Sequence, residues 1–261
     1  MKLAQRTILI TGGTSGIGLE LAKQLAARGN TIIATGRDPA RLDAAQRAVP
    51  GLFAIQSDVA DPEAIAALHR RVLAEFPALD VLVNNAGIMR NLNFNQRRGL
   101  DDVTREIDIN LSGPLRMVQQ FLPHLKTREQ AAIVIVSSGL AFVPLPIAPV
   151  YSATKAALHS FAQSLRVQLA ASRVAVVELA PPGVETELFR GEFADEMKGQ
   201  KAMDPVVLVQ KAIAGIEAGR VEIRPGLSNM LKIMSRLAPA SILGQLAKVG
   251  RDKMATLARA T

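Results

Sequence analysis

The sequence predicts an α/β protein with one doubly wound parallel sheet and helices on both faces. Two observations carry that expectation. Short β-branched runs alternate strictly with longer amphipathic stretches, and runs such as Ile133-Val-Ile-Val136 are apolar throughout. A strand apolar at every position is buried on both faces, and strict β–α alternation closes a parallel sheet through right-handed crossovers. A third observation, a glycine-rich turn straight after the first strand, points to the sheet end that carries function.

Taken in order, strands are expected over 7–11, 31–35, 52–56, 80–84, 131–137, 173–179 and 220–224. Helices are expected over 16–28, 39–49, 62–76, 100–125, 151–171 and 205–218. The first helix meets Gly29-Asn30, a natural stop. Seven strands and six helices form one domain over 1–226 without a linker or repeat. Two segments fall outside the alternation: 184–203, and a tail over 227–261.

Composition narrows the chemistry. The 261 residues include no cysteine, which excludes a disulfide scaffold, a thiolate metal site and a cysteine nucleophile. The three histidines, His69, His124 and His159, have no metal-ligand spacing, so no metal is expected. Lys and Arg number 31 against 23 Asp and Glu, a net +8. Residues 227–261 hold six basic side chains and one acidic one, so the excess sits mainly in the tail. One tyrosine, no tryptophan and no base-reading motif give nucleic-acid binding little support. No apolar run is long enough to span a bilayer, since 140–150 is broken by Pro144, Pro146 and Pro149. The N-terminus reads as strand and turn rather than signal peptide, so a soluble cytoplasmic protein is expected.

The turn after the first strand is Thr11-Gly-Gly-Thr-Ser-Gly-Ile-Gly18. Gly12, Gly16 and Gly18 let backbone approach a pyrophosphate, and the helix N-terminus beyond offers free N–H groups and partial positive charge. Thr14, Ser15 and Ile17 complete this candidate dinucleotide cradle. Strand two should end beside the adenosine ribose. It reads Thr35-Gly36-Arg37-Asp38, with Arg37 placed to pair a 2′-phosphate, so NADP(H) is favoured over NAD(H). Asp38 before Pro39 serves equally well as a helix N-cap. Asp58-Val59 follows strand three, and Asn84-Asn85-Ala86-Gly87 follows strand four, both at ligand-binding strand ends.

The sharpest signal is Tyr151-Ser-Ala-Thr-Lys155. On a helix, positions i and i+4 share a face, so phenol and ammonium are neighbours. Tyrosine ionises near pH 10 and burial raises that further, so a cation must overcome desolvation before the phenol works as an acid–base catalyst near neutrality. Lys155, together with an oxidised nicotinamide cation, is expected to do so. Ser138, at the end of strand five, is placed to polarise a carbonyl oxygen beside the phenol. Asn110 lies in the apolar stretch Ile107-Asp-Ile-Asn-Leu111. It is either a satisfied polar core residue or a local helix break that frees carbonyls for a water.

Together these residues resemble the classical short-chain dehydrogenase/reductase family. Thr11–Gly18, Asp58, Asn84–Gly87, Asn110, Ser138, Tyr151 and Lys155 match in order and spacing over roughly residues 5–225. The resemblance implies a Rossmann fold with strand order 3-2-1-4-5-6-7 and hydride exchange between NAD(P) and an alcohol or carbonyl. It implies Tyr151 as general acid/base, Ser138 orienting the carbonyl, and Lys155 lowering the phenol pKa and holding the nicotinamide ribose. Asn110 supports a proton relay, Asp58 meets adenine, and Asn85, Ala86 and Gly87 line the cofactor. Homodimers or homotetramers acting on a small molecule are implied as well. After strand six the family pattern Pro-Gly-x-Val-x-Thr becomes Pro181-Pro182-Gly183-Val184-Glu185-Thr186, leaving Pro181, Val184 and Thr186 near the carboxamide. This Pro-Pro variant and Glu222-Ile-Arg-Pro-Gly226 resemble a branch of DltE-like oxidoreductases. A non-catalytic redox sensor on the same fold is the alternative, and the complete Asn/Ser/Tyr/Lys set argues against it.

In this family the 184–203 stretch is a substrate lid, so Leu188, Phe189 and Phe193 are expected to close over an apolar substrate. An amphipathic surface helix pair is the other reading. The tail shows helical apolar spacing at Met230, Leu231, Ile233, Met234 and Leu237. Packing on its own domain or on a second subunit is favoured over weak contact with an anionic membrane.

Overall fold

The computed structural model describes residues 1–249. Its centre is a seven-stranded, all-parallel sheet in the order 3-2-1-4-5-6-7. The strands are β1 (Thr7–Thr11), β2 (Thr31–Gly36), β3 (Phe53–Gln56), β4 (Leu79–Asn84), β5 (Ala131–Val136), β6 (Val174–Leu179) and β7 (Glu222–Ile223). The helices are α1 (Gly16–Ala26), α2 (Pro39–Ala48), α3 (Pro62–Glu75), α4 (Leu100–Ile107), α5 (Gly113–Leu125), α6 (Pro149–Gln168), α7 (Glu187–Arg190), α8 (Pro205–Glu217), α9 (Leu227–Leu237) and α10 (Pro239–Leu246).

The apolar runs do what period two demands. Ile8 and Ile10 face one core with Leu21, Leu25 and Ile213, while Leu9 faces the other with Val72, Phe121 and Leu165. The central strands therefore serve two cores, which is why β1, β4 and β5 are buried along their whole length. Helix starts repeat one device. Asp38, Asp61 and Asp204 each precede a proline and accept the N–H two residues on, at 2.9, 2.9 and 2.6 Å. The carboxylate satisfies an orphan donor, and proline fits the first helical position because its missing N–H is not needed there.

Three segments differ from expectation. The single helix over 100–125 is α4 and α5 joined by a π-turn, Asp108–Ser112. Asn110 lies in that turn, so the expected local break is present. Its carboxamide both accepts the Ile88 N–H (2.9 Å) and donates to Ile88 O (2.8 Å), tying the loop after β4 to the widened turn. The seventh strand shrinks to two residues at the sheet edge. The helix carrying Tyr151 begins earlier, at Pro149.

The outlying segment 184–203 is closed at its base. Val184 bridges Met203, Glu185 N–H donates to Met203 O at 2.9 Å, and Met203 N–H donates to Gly183 O at 2.8 Å. Between those ends lie only the single turn α7 and irregular turns, not a helix pair. Helices α9 and α10 lie against the turn after β5, with Leu231 and Ile242 packed on Val143. The tail residues Arg251, Asp252, Lys253 and Arg259 lie outside the described residues.

Candidate active site

The glycine turn is fixed by backbone contacts. Gly12 has φ +63°, and a Cβ there would stand 2.8 Å from Ala86 Cα. A Cβ on Gly18 would stand 2.1 Å from Gly12 O. Asn85 Nδ2 donates to Thr11 O and Gly12 O, both at 3.0 Å, and the Thr11 hydroxyl accepts the N–H groups of Asn85 and Ala86. The loops after β1 and β4 thus form one unit. Thr14 packs on Gly36, where a Cβ would stand 3.0 Å from its methyl. Ser15 caps α1 without using its side chain on that helix, which leaves the first N–H groups without a side-chain cap. Ile17 turns back onto the core. Thr186 lies across the cleft, 3.2 Å from a Cβ built on Gly16.

Arg37 and Asp58 are not independent, as the sequence reading had them. Arg37 Nη1 stands 3.6 Å from Asp58 Oδ2. Asp58 also accepts the Ala60 N–H at 2.9 Å. The pair is partly exposed, and such pairs contribute about 1 kcal/mol or less. Val59 is buried against Gly113, which has room for no Cβ beside Val59 O (2.8 Å).

The second half of the site is buried. Helix α6 carries Tyr151, Thr154 and Lys155 inward. Ser138 accepts the Leu140 N–H at 3.1 Å and hydrogen-bonds the Tyr151 phenol. Lys155 Nζ donates to Val136 O at 2.8 Å and lies 5.5 Å from the Tyr151 ring centroid. A Cβ on Gly87 would stand 3.2 Å from Asn110 Oδ1 and 3.7 Å from Lys155 Nζ, so the three meet at one point. Asn110 Nδ2 also reaches Thr154 Oγ1 at 3.3 Å. The 181–186 stretch adjoins them through Pro181 O, which accepts the Gly139 N–H at 2.7 Å. Val184 is buried beside it. The structure thus brings the sequence-predicted residues to one end of the sheet, where the carboxyl ends of β1 to β6 lie.

In the free chain, burial dominates the electrostatics of the Tyr151–Lys155 pair. Burial pushes the Tyr151 phenol up to about 12, opposed by the Ser138 hydrogen bond and reinforced by the Glu106 carboxylate. Lys155 does not offset this in the free chain. Its own burial lowers it to about 8, and its Nζ is committed to a carbonyl.

Glu106 escaped the sequence reading. It is fully buried, and its carboxyl accepts the Arg90 N–H at 3.0 Å, with a looser contact to the Tyr151 backbone N–H. Desolvation raises it to about 7. The signal was its spacing, four residues before Asn110 on the same helical face. A second network also went unseen. Ser137 Oγ donates to buried Glu178 at 2.5 Å, and Glu178 meets His159 Nδ1 at 2.7 Å. Beside Tyr151 lies an apolar wall of Met89, Leu145, Ile147, Phe193 and Met197. Of the three lid residues, Phe193 is buried in this wall, Phe189 packs at its margin and Leu188 is exposed.

Known proteins resemble this chain in sequence and fold. Uncharacterized oxidoreductase DltE of Bacillus subtilis is 44% identical over 226 residues, covering 85% of this chain and 89% of its own. A short-chain dehydrogenase from Sphingobium yanoikuyae, solved with NADPH, superposes with TM-score 0.78 at 28% identity, covering 92% of this chain and 93% of its own. A 3-ketoacyl-(acyl-carrier-protein) reductase from Brucella melitensis, solved with NADH, gives TM-score 0.75 at 27% identity over 84% of this chain and 94% of its own. The family model described as short chain dehydrogenase matches residues 6–197. By sequence and by fold, the chain belongs to the short-chain dehydrogenase/reductase family of oxidoreductases.

Proposed function

We propose that the chain is an NADP(H)-dependent oxidoreductase interconverting an alcohol and a ketone or aldehyde, with Tyr151 as general acid/base. The observation that carries this reading is the convergence of the Tyr151 phenol, the Ser138 hydroxyl and the Lys155 ammonium beside the glycine turn. The cradle fits a dinucleotide on its own geometry. Side chains at Gly12 and Gly18 would strike backbone, and the N-terminus of α1 is left open. The NADPH and NADH complexes of two relatives support a nicotinamide cofactor of either kind. Arg37 supports NADP(H), because a guanidinium pairs a 2′-phosphate in a bidentate manner.

When bound, the nicotinamide supplies or accepts the hydride. Gly12, Thr14, Ser15, Gly16 and Gly18 hold the pyrophosphate, and Ile17 keeps that turn seated on the core. Asp58 and Val59 border the adenine, Asn85, Ala86 and Gly87 line the ribose side, and Pro181, Val184 and Thr186 flank the carboxamide. Ser138 donates a hydrogen bond to the substrate oxygen, and Tyr151 gives it a proton in reduction and takes one in oxidation. Its high pKa in the free chain suits the donor role before ionisation is needed. Lys155 and Asn110 return a proton to the phenol, Lys155 holding it at Nζ near neutral pH. The apolar wall of Met89, Ile147, Phe193 and Met197 keeps water off the reacting carbonyl and favours an apolar substrate.

The test is cofactor oxidation and reduction across a panel of ketones, aldehydes and alcohols, with NADPH and NADH in parallel. Turnover that prefers NADPH supports the reading. Tight NADPH binding with no turnover of any carbonyl overturns it in favour of a sensor. The same protein in solution should be a homodimer or homotetramer.

A further inference from the structure

Helix α9 has a broad apolar face, and its own domain covers only one margin of it. Leu231 is buried against Val143, and Met234 packs beside it. The adjoining flank of the same face carries Leu227, Met230, Ile233 and Leu237, all exposed, with Leu237 at 76%. Leu243 on α10 is exposed as well. At 100° per residue these four α9 positions fall within one 120° sector, so they form a continuous stripe rather than scattered exposure. Isolated exposed leucines need no explanation, but a contiguous stripe does.

Charge says what covers it. Lys232 is held by Glu222 at 2.5 Å, but Arg236 and Lys248 are exposed along the same helix pair. Residues 227–261 hold six basic side chains against one acidic one. Two copies meeting face to face on this stripe would set two such segments against each other. An anionic bilayer complements them, because it takes apolar side chains into its acyl boundary and basic ones at its headgroups. Among the described residues no helix is long and apolar enough to cross a membrane.

We propose that α9 and α10 dock the protein on an anionic lipid surface, with Leu227, Met230, Ile233 and Leu237 inserted and Arg236 and Lys248 at the headgroups. The site lies outside the cofactor cleft, so docking needs no change in the chemistry.

The experiment is sedimentation of the full chain with phosphatidylcholine vesicles, with and without about 30 mol % phosphatidylglycerol. Pelleting is expected only with the anionic vesicles, and it should fall as salt rises. The triple variant M230S/I233S/L237S alters exposed positions only, so its thermal midpoint should match the parent. Its pelleted fraction should drop about tenfold, as removal of inserted apolar surface requires. The pair Arg236→Ala and Lys248→Ala should lower pelleting several-fold and leave NADPH oxidation unchanged. No pelleting on anionic vesicles, equal pelleting on neutral ones, or a triple variant that pellets like the parent each overturns the proposal. So does a light-scattering mass that halves in the triple variant without any lipid binding, which would assign the stripe to a second copy.

Discussion

The two halves of the cleft are built from different materials. The half that ends β1, β2 and β4 is made of backbone: glycines with no room for a Cβ, a carboxamide bridging two loops, and one exposed ion pair. The half that ends β5 and opens α6 is made of buried titratable side chains, with the phenol raised, the ammonium lowered and a carboxyl raised to about 7. Backbone geometry recognises a ligand by shape and keeps no charge in reserve. Buried ionisable groups store a cost that a reaction or a bound cation can release. The comparison predicts that damage to the first half appears in affinity and damage to the second in turnover.

The largest effect should come from Tyr151→Phe, which removes the proposed proton donor and little volume. Turnover should fall about 10³-fold, as loss of a positioned acid–base group typically causes. NADPH affinity by fluorescence titration should stay within about threefold, since the ring remains. Near-parental turnover would break the contrast at its strongest point. No other tyrosine exists in the chain, so difference absorbance near 295 nm reports this phenol alone. In the free protein it should ionise well above pH 10 and shift down when oxidised cofactor binds.

The mirror experiment is Gly18→Ala. The new methyl would lie 2.1 Å from Gly12 O and 2.5 Å from Asn85 Nδ2, both in the unit that carries the turn. Overpacking of this kind costs about 1–3 kcal/mol, so cofactor affinity should weaken about 10- to 100-fold. Turnover at saturating cofactor should change far less. A variant whose turnover fell with affinity intact would show that the two halves are not separable.

This division also explains what could be read from the sequence. The glycine turn, the Asp-Pro helix starts and the fully apolar strands are local patterns whose cause lies within a few residues, so the fold and the backbone half of the site were legible. So was the Tyr151–Lys155 spacing, because one helix turn fixes it. What the pair does electrostatically was not, since desolvation depends on Met89, Ile147 and Phe193, which arrive from three other segments. Glu106 was hidden for the same reason: on the sequence it is one more charge in a polar helix, and only packing makes it dry. Arg37 and Asp58 were read separately because their pairing is set by the β2–β3 neighbourhood.

A smaller effect tests that pair. Arg37→Ala should weaken NADPH about tenfold more than NADH, the size expected for one lost charge-assisted phosphate contact. Equal weakening of both would mean that Arg37 serves Asp58 and not the cofactor.

The smallest effect on rate, and the finest probe of the buried half, is Glu106→Gln. The amide still accepts the Arg90 N–H and mimics the neutral carboxyl, but it cannot ionise. In the parent, Glu106 titrates near pH 7, and its charge raises the phenol further. The pH profile of kcat/KM should therefore carry an inflection near 7 that the variant lacks, with rates within about fivefold elsewhere. Stability gives an independent reading. The native state keeps a proton on Glu106 that the unfolded chain releases near its ordinary 4.5. Stability contributed by that proton is complete below about pH 4.5 and is lost as pH rises through about 7, at most about 3.5 kcal/mol at about 1.4 kcal/mol per unit. Urea midpoints at pH 5 and pH 8 should differ by less in the variant than in the parent, with the variant gaining relative to the parent at the higher pH. Arg90 and Glu192 face the same carboxyl and remain in both proteins, as does Asp102 on Arg90, so the difference isolates Glu106. A variant that kept both the kinetic inflection and the pH-dependent midpoint would place that titration on another group and leave Glu106 a packing residue.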